Sequence, residues 1–485
     1  MRRRDFLTTT SLAALHGLKP ASLAAVDPDC RQATGIKIGE VTPESAIAWL
    51  RLTERSSRQA DGELRRARVN KADVEKVIRD SQRSTREFEG STPGAPGRMR
   101  LAYATNERLN GARRTDWVNA DPASNYASQF ALGALKPDTI YHYAAETASP
   151  QGKLHAPLRG QFRTAPRIDS TGGVRFCMTT CQKYSELDHS DGFHIYESIR
   201  KLDPRFFISA GDIVYYDSDD PQANTVELAR YHWDRMFSFP RHIELMRHVP
   251  GYWEKDDHDT LTDDVWPDMK MGPQYRMSFA DGLRIFRQQV PMGPKTYRTF
   301  RWGKTLQVWL VEGRDYRSPN RMPDGPEKSI WGVEQKQWLM RSMAASDADW
   351  RILISPTPVV GPDRPTKGDN HSNAQFAHEG KEFREWAKQT LGNNFVNING
   401  DRHWQYHSVH PQTGTHEFSV GPSSDSLASG TPGEDKNYHR FHRVKGGFLE
   451  VETERRANES FLHFRLRDVM GAVTYSHSFS RLVKA

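Results

Sequence analysis

RFFISAGDIVYYD, residues 205–217, is apolar through Ala210 and then turns polar at Gly211-Asp212. A short apolar run of this kind reads as a buried strand, and it delivers Asp212, Tyr215 and Asp217 at its carboxyl end. The pattern recurs along the chain. VRFCMTT (174–180) ends in Cys181-Gln182, and HVPGYW (248–253) leads to Glu254-Lys255-Asp256-Asp257-His258-Asp259. NNFVNIN (393–399) ends in Gly400-Asp401-Arg402-His403-Trp404. Two further apolar runs are LQVWLVEG (306–313) and WRILISPTP (350–358). Helical spacing appears between the runs. Phe193, Tyr196, Ile199 and Leu202 share one face, and WGVEQKQWLMRSMAA (331–345) and EGKEFREWAKQTLG (379–392) are further helices. Strands alternating with helices predict an α/β layered domain over residues 172–485, with ligands gathered beyond the carboxyl ends of the strands. FLEVETE, FLHFRLRD and VTYSHSFSRL return to strands at the C-terminus.

Upstream, residues 34–166 read as a small β-sandwich. GIKIGEV, SAIAWLRL, TIYHYAAETA and GQFRTAP run or alternate apolar between turn signals. LKPDTIYHYAAE followed by GQFRTAP resembles the last strands of a fibronectin type III-like domain. A charged insertion occupies about residues 55–97, and ADVEKVIRDSQRSTREFEG within it predicts a helix with Val74, Val77 and Ile78 on one side. Its charged surface reads as a solvated face.

The first residues, MRRRDFLTTTSLAALHGLKPASLAA, pair Arg3-Arg4 with Asp5, Phe6 and Leu7, then a modest apolar stretch and small residues. This is the order of a twin-arginine signal peptide over residues 1–25, which implies export by the twin-arginine translocase to the periplasm or cell surface. The whole chain of 485 residues carries +7. Residues 1–25 hold four basic side chains against one acidic, so cleavage leaves about +4. So weak a basic balance gives no reason to expect nucleic acid as a stable partner. With 36% hydrophobic residues and 12 Trp the chain can build real cores, and no apolar run is long enough to span a membrane. Three Cys cannot make a disulfide framework. The chain is expected to act as a monomer.

Cys181, Asp212, Tyr215, Asp256 to Asp259, Asp401 and His403 therefore reach one edge from four strands, which is the donor supply a dinuclear metal centre needs. Here the sequence resembles the metallophosphoesterases, and within them the alkaline phosphatase D (PhoD-like) family. That family's Cys-Gln matches Cys181-Gln182, and its Gly-Asp-x-x-Tyr matches Asp212 and Tyr215. Its Asp-Asp-His-Asp/Glu matches Asp256 to Asp259, and its Gly-Asp-x-His matches Asp401 and His403. The resemblance spans about Gly35 to the C-terminus. It implies a layered α/β/β/α domain, and a ferric ion held by Cys181, Asp212, Tyr215 and His403. It also implies a second divalent ion, calcium or another, sharing Asp212 and taking Asp401 and Asp257. Anionic thiolate and phenolate suit the ferric state, and an oxygen set suits calcium.

The activity so implied is hydrolysis of a phosphate mono- or diester by a metal-activated hydroxide. His258 would be a hydrogen-bond donor or general acid beside the metals, with Asp257 next to it, and Arg314 an anion contact. The substrate would be a small-molecule, lipid or glycan phosphate ester. A phospholipase D-type phosphodiesterase, a sulfatase-like hydrolase of sulfated glycans and a non-catalytic exported binding protein are the alternatives. The family has Asn a few residues beyond the third motif, where this chain has Thr262, Asp263 and Asp264. That departure bears on the second ion. Cys177 reads as a buried hydrophobe, and His189, His194, His407 and His410 as surface or hydrogen-bonded histidines. Loops 318–327 and 363–373 are where substrate choice would lie.

Overall fold

The computed structural model describes residues 27–69 and 73–483, so the expected leader lies outside the described residues. Two large sheets face each other. In the first, Val174–Thr179, Phe206–Ala210 and Gly251–Glu254 are parallel neighbours. The C-terminal strands Phe448–Arg456, Glu459–Arg467 and Val473–Leu482 extend it antiparallel on one side. In the second, Leu306–Leu310, Trp350–Ser355, Phe395–Asn399 and His416–Ser419 are parallel. Arg298–Trp302 edges it on one side, and Gln405–Val409 and His439–Arg443 on the other.

Side-chain alternation with period two builds the layers. Phe176, Met178 and Ile208 from the first sheet meet Val308, Ile352, Ile354 and Ile398 from the second in one core. The intervening residues face outward. Cys177, Phe207 and Trp253 pack beneath helices that supply Ile195, Leu228, Trp233, Leu245 and Phe286. Trp309 and Leu353 pack beneath the helices Gly332–Ala345 and Ala377–Thr390 through Leu339, Met343 and Phe383. The result is helix, sheet, sheet, helix, with Cys177 a buried wall residue.

The N-terminal strands are divided between sheets. Lys37–Gly39, Ala46–Arg51 and Ala127–Leu132 continue the first large sheet, joined where Gly39 pairs with Gly251. Arg98–Ala104, Ile140–Ala148 and Leu158–Arg163 form a small sheet over them, with Arg113–Arg114 and Val118–Asn119 at its edges. Their buried residues Ile38, Leu50, Leu101 and Tyr143 belong to the same core as Phe176 and Ile352. The N-terminal region thus shares the central core instead of closing one of its own.

Among the described residues the insertion forms the short helix Val74–Asp80 and a 3-10 turn at Thr85–Glu87. Val77 is buried, but Val74 and Ile78 are 39% and 38% exposed, so the expected apolar side is not covered. Ion pairs between side chains hold it instead. Arg65 and Lys76 both engage Asp80 and Asp220, tying the insertion to the loop that follows Asp212.

Candidate metal centre

The strand ends of both sheets converge, and two glycines allow it. A Cβ on Gly211 would lie 2.5 Å from Asp256 Cβ, and one on Gly400 would lie 2.4 Å from the Ala210 carbonyl. The residues beside these contacts are held in the left-handed region: Cys181 at φ 50, Asp212 at 55 and Asp401 at 61. Non-glycine residues reach that region at a cost of about 1–3 kcal/mol and keep it where the surroundings fix them. Gln182 supplies part of that fixing, with its N–H to the Asp212 carbonyl at 2.9 Å and its amide to the Ile213 carbonyl at 3.1 Å. Asp259 supplies more. Its carboxylate accepts from the backbone of Ile213 at 3.0 Å and of Asp256 at 2.7 Å, joining two strand ends.

Asp212 is the common centre. Its carboxylate lies with Cys181 and His403, with Asp257 and His258, and with Asp256 and Asp401 in three groups whose donor atoms are within 4.8 Å of one another. Tyr215 Oη donates to Asp212 Oδ2 at 3.0 Å and sits 3.3 Å from His403 Nε2; Cys181 Sγ is 3.4 Å from the same Oδ2. Asp212 Oδ1 and Asp256 Oδ2 are buried without a hydrogen-bond partner. Burial and the surrounding carboxylates push the Asp212 carboxyl well above its ordinary value, against the charge of His258, and burial with Asp212 does the same to Cys181 and Tyr215. Burial, Arg402 and His258 pull His403 down to about 3, so its imidazole is neutral with a lone pair to offer. Buried anionic donors in this number call for cations, and a thiol, phenol, imidazole and carboxylate set fits a ferric ion beside a harder one.

All six sequence-predicted ligands, Cys181, Asp212, Tyr215, Asp257, Asp401 and His403, come together here. His258 lies beside the cluster, grouped with Asp212 and Asp257. Nδ1 lies 2.7 Å from Asp217 Oδ1, the ring stacks on Tyr215 at 4.3 Å, and the side chain is 15% exposed at the rim. Burial lowers its pKa, but the charges of Asp217, Asp257 and Asp212 outweigh that and raise it well above the ordinary imidazole value.

Arg314 is placed differently from the expectation. It is wholly buried, with Nε on Asp256 and a terminal nitrogen 3.6 Å from Asp257 and 3.5 Å from Asp369. No part of it is open to a substrate, so it positions the carboxylates from beneath. Arg402 does the same on the other side, engaging Asp401 and Asp363.

Sequence reasoning passed over several neighbours. Asp256, placed at this edge by its motif but given no ligand role, brings a free oxygen to the centre. Asp369 and Lys367 enter from the 363–373 loop, and no local pattern announces them. Asp263 is not among the converging donors. Its carboxylate is 54% exposed, 3.8 Å from His258 Nε2 and 3.4 Å from Lys367. Asp264 is the one that turns inward, lying with Asp257 and Asp369, and burial with these like charges raises it to about 6.

Among the described residues no helix is long and apolar enough to cross a membrane. The family model described as PhoD-like phosphatase matches residues 176–465. The one described as PhoD-like phosphatase, N-terminal domain, matches residues 19–166. The chain is similar to alkaline phosphatase D of Bacillus subtilis (strain 168), 21% identical over 402 residues. That alignment takes in 72% of this chain and 66% of the relative, just under two thirds of its length. A solved structure described as PhoD superposes with a TM-score of 0.70 at 16% identity, over 94% of this chain and 92% of that one. Purple acid phosphatase PPD1 from yellow lupin (Lupinus luteus) seeds superposes at 0.60 and 12% identity, over 91% and 73%. At these identities the shared property is the mixed α/β fold.

Proposed function

The chain belongs to the PhoD-like phosphatase family, and we propose that it hydrolyses phosphate mono- or diesters at a dinuclear metal centre bridged by Asp212. The observation that carries this reading is that Asp212 belongs to more than one donor group, as a carboxylate shared between two ions must. Cys181, Asp212, Tyr215 and His403 would hold a ferric ion. Asp212, Asp257 and Asp401 would hold a second ion, probed first as calcium, with Asp256 Oδ2 beside it. When bound, such a pair supplies Lewis-acid polarisation of a phosphoryl group and acidification of water.

The chain's own residues supply the rest. Asp217 fixes the His258 ring through Nδ1 and favours its protonated form, which leaves Nε2–H at the rim to donate to a phosphoryl or leaving-group oxygen. Asp263 faces that same nitrogen and Lys367 lies beyond it, so an anionic substrate meets a paired rim and not a bare carboxylate. Arg314 and Arg402 hold the ligand carboxylates in place from below.

Hydrolysis of p-nitrophenyl phosphate, its bis ester and p-nitrophenyl sulfate, on protein with its metals assayed, tests the reading. Turnover of either phosphate is the expected result. Turnover of the sulfate alone, or of none, would sink it. We further propose export through the twin-arginine pathway, motivated by Arg3-Arg4 and the small residues that follow, and tested by the variant described below.

A further inference from the structure

We propose that His407, His416 and His477 form a second kind of metal site, for a zinc-like divalent ion, at the seam between the two large sheets. His407 lies in Gln405–Val409 and His416 opens the neighbouring antiparallel strand His416–Ser419, where His407 pairs with Phe418. Alternation puts His407, His416 and Phe418 on one face, the face that Phe418 buries in the central core. From the opposite sheet, Tyr475, His477 and Phe479 of Val473–Leu482 point back at them. The His407 and His477 rings are 4.7 Å apart, and those of His416 and His477 are 5.7 Å apart. Apolar side chains are the rule at such positions, and three imidazoles there need a reason.

The geometry offers one. A ring nitrogen from each histidine lies within 4.8 Å of the other two. His407 Nε2 is 2.9 Å from His416 Nδ1, somewhat inside the separation of two nitrogens that share an ion at about 2.0–2.1 Å each. His407 Nδ1 is 2.9 Å from Tyr475 Oη, an outer partner that can accept a hydrogen bond from Nδ1–H and so leave the Nε2 lone pair facing the cluster. Burial first, and the neighbouring rings and Arg440 second, bring His407 down to about 2 and His416 to about 4; burial lowers His477 as well. All three are therefore neutral, the form that binds metal.

Three neutral nitrogens with no carboxylate among them suit zinc and its neighbours, and not calcium or magnesium. His416, alone of the three, also lines a cleft of about 560 Å³ with Lys388, Thr415 and Phe479, which brings open space to one edge of the cluster. None of the three histidines belongs to the centre around Asp212, so the ion would tie the two sheets together and not take part in turnover.

The test is a zinc titration of the purified protein with its catalytic metals loaded, read as zinc per chain by mass spectrometry and as thermal midpoint. One additional zinc per chain and a raised midpoint are expected. Both gains should vanish in His416→Ala and in His477→Gln, at partly exposed positions, with iron content and p-nitrophenyl phosphate turnover unchanged. In Asp212→Asn, which empties the catalytic centre, the extra zinc should remain. A wild type that takes up no extra zinc, or extra zinc that survives both histidine variants, overturns the proposal.

Discussion

Replacing Arg314 by Gln separates two accounts of that residue. The guanidinium is wholly buried among Asp256, Asp257 and Asp369, and two of its contacts are at 3.5 and 3.6 Å. At such a separation each pair is worth about 5 kcal/mol in an effective dielectric of about 20 before desolvation is subtracted. Removing one partner of a buried ion pair costs about 3–5 kcal/mol, because the remaining charges stay buried and unpaired. Glutamine can keep one hydrogen bond to Asp256 and cannot supply the charge. The thermal midpoint should therefore fall by several degrees. The fall should be larger in protein stripped with a chelator than in metal-loaded protein, where bound cations replace part of the missing charge. Scanning fluorimetry in both states, alongside p-nitrophenyl phosphate kinetics, reads this out. An unchanged midpoint with a raised KM would mean that Arg314 binds substrate after all, and the positioning argument would be refuted.

His258→Ala should keep its metals and lose about 10²–10⁴-fold in kcat, the usual size of a proton-transfer contribution. A better leaving group such as 2,4-dinitrophenol should recover part of that loss; departure of the metals with the side chain would make His258 a ligand. Tyr215→Phe retains the ring stacked on His258 and removes one oxygen. As a ligand it should take iron and the visible colour of a ferric phenolate with it, whereas a packing role predicts only the loss of one hydrogen bond, about 1 kcal/mol. Replacement of Arg3 and Arg4 by Lys should strand the protein in the cytoplasm, and unchanged export of that variant would remove the twin-arginine reading.

The layered fold was legible because apolar runs such as Phe206–Ala210 and Trp350–Ser355 are bounded by polar turns, and amphipathic helices such as the one carrying Tyr196 and Ile199 lie between them. The donor residues were legible because each stands directly after such a run. What the sequence hid is long-range. That Lys37–Gly39 would join the same sheet as Gly251–Glu254 depends on pairing Gly39 with Gly251, far apart along the chain, and no local period encodes it. Asp369 and Lys367 come from a loop, and loop positions follow from the scaffold that carries them. Arg314 carried the correct neighbourhood but the wrong orientation, since a sequence does not say whether a guanidinium lies above or below a row of carboxylates. His407 is hydrogen-bonded, as expected, but its approach to His477 crosses from one sheet to the other and no local pattern encodes it.

Asp212→Asn tests the central claim most directly, because that carboxylate is common to three of the donor groups at the site. The measurement is metal content per chain by mass spectrometry, on wild type and variant purified side by side, with phosphate ester turnover recorded on the same samples. The account predicts iron and a second ion in the wild type, and the loss of both ions and of turnover in Asp212→Asn. Wild-type metal stoichiometry in the variant would contradict it, and Asp212 would not be the bridge on which the centre is built.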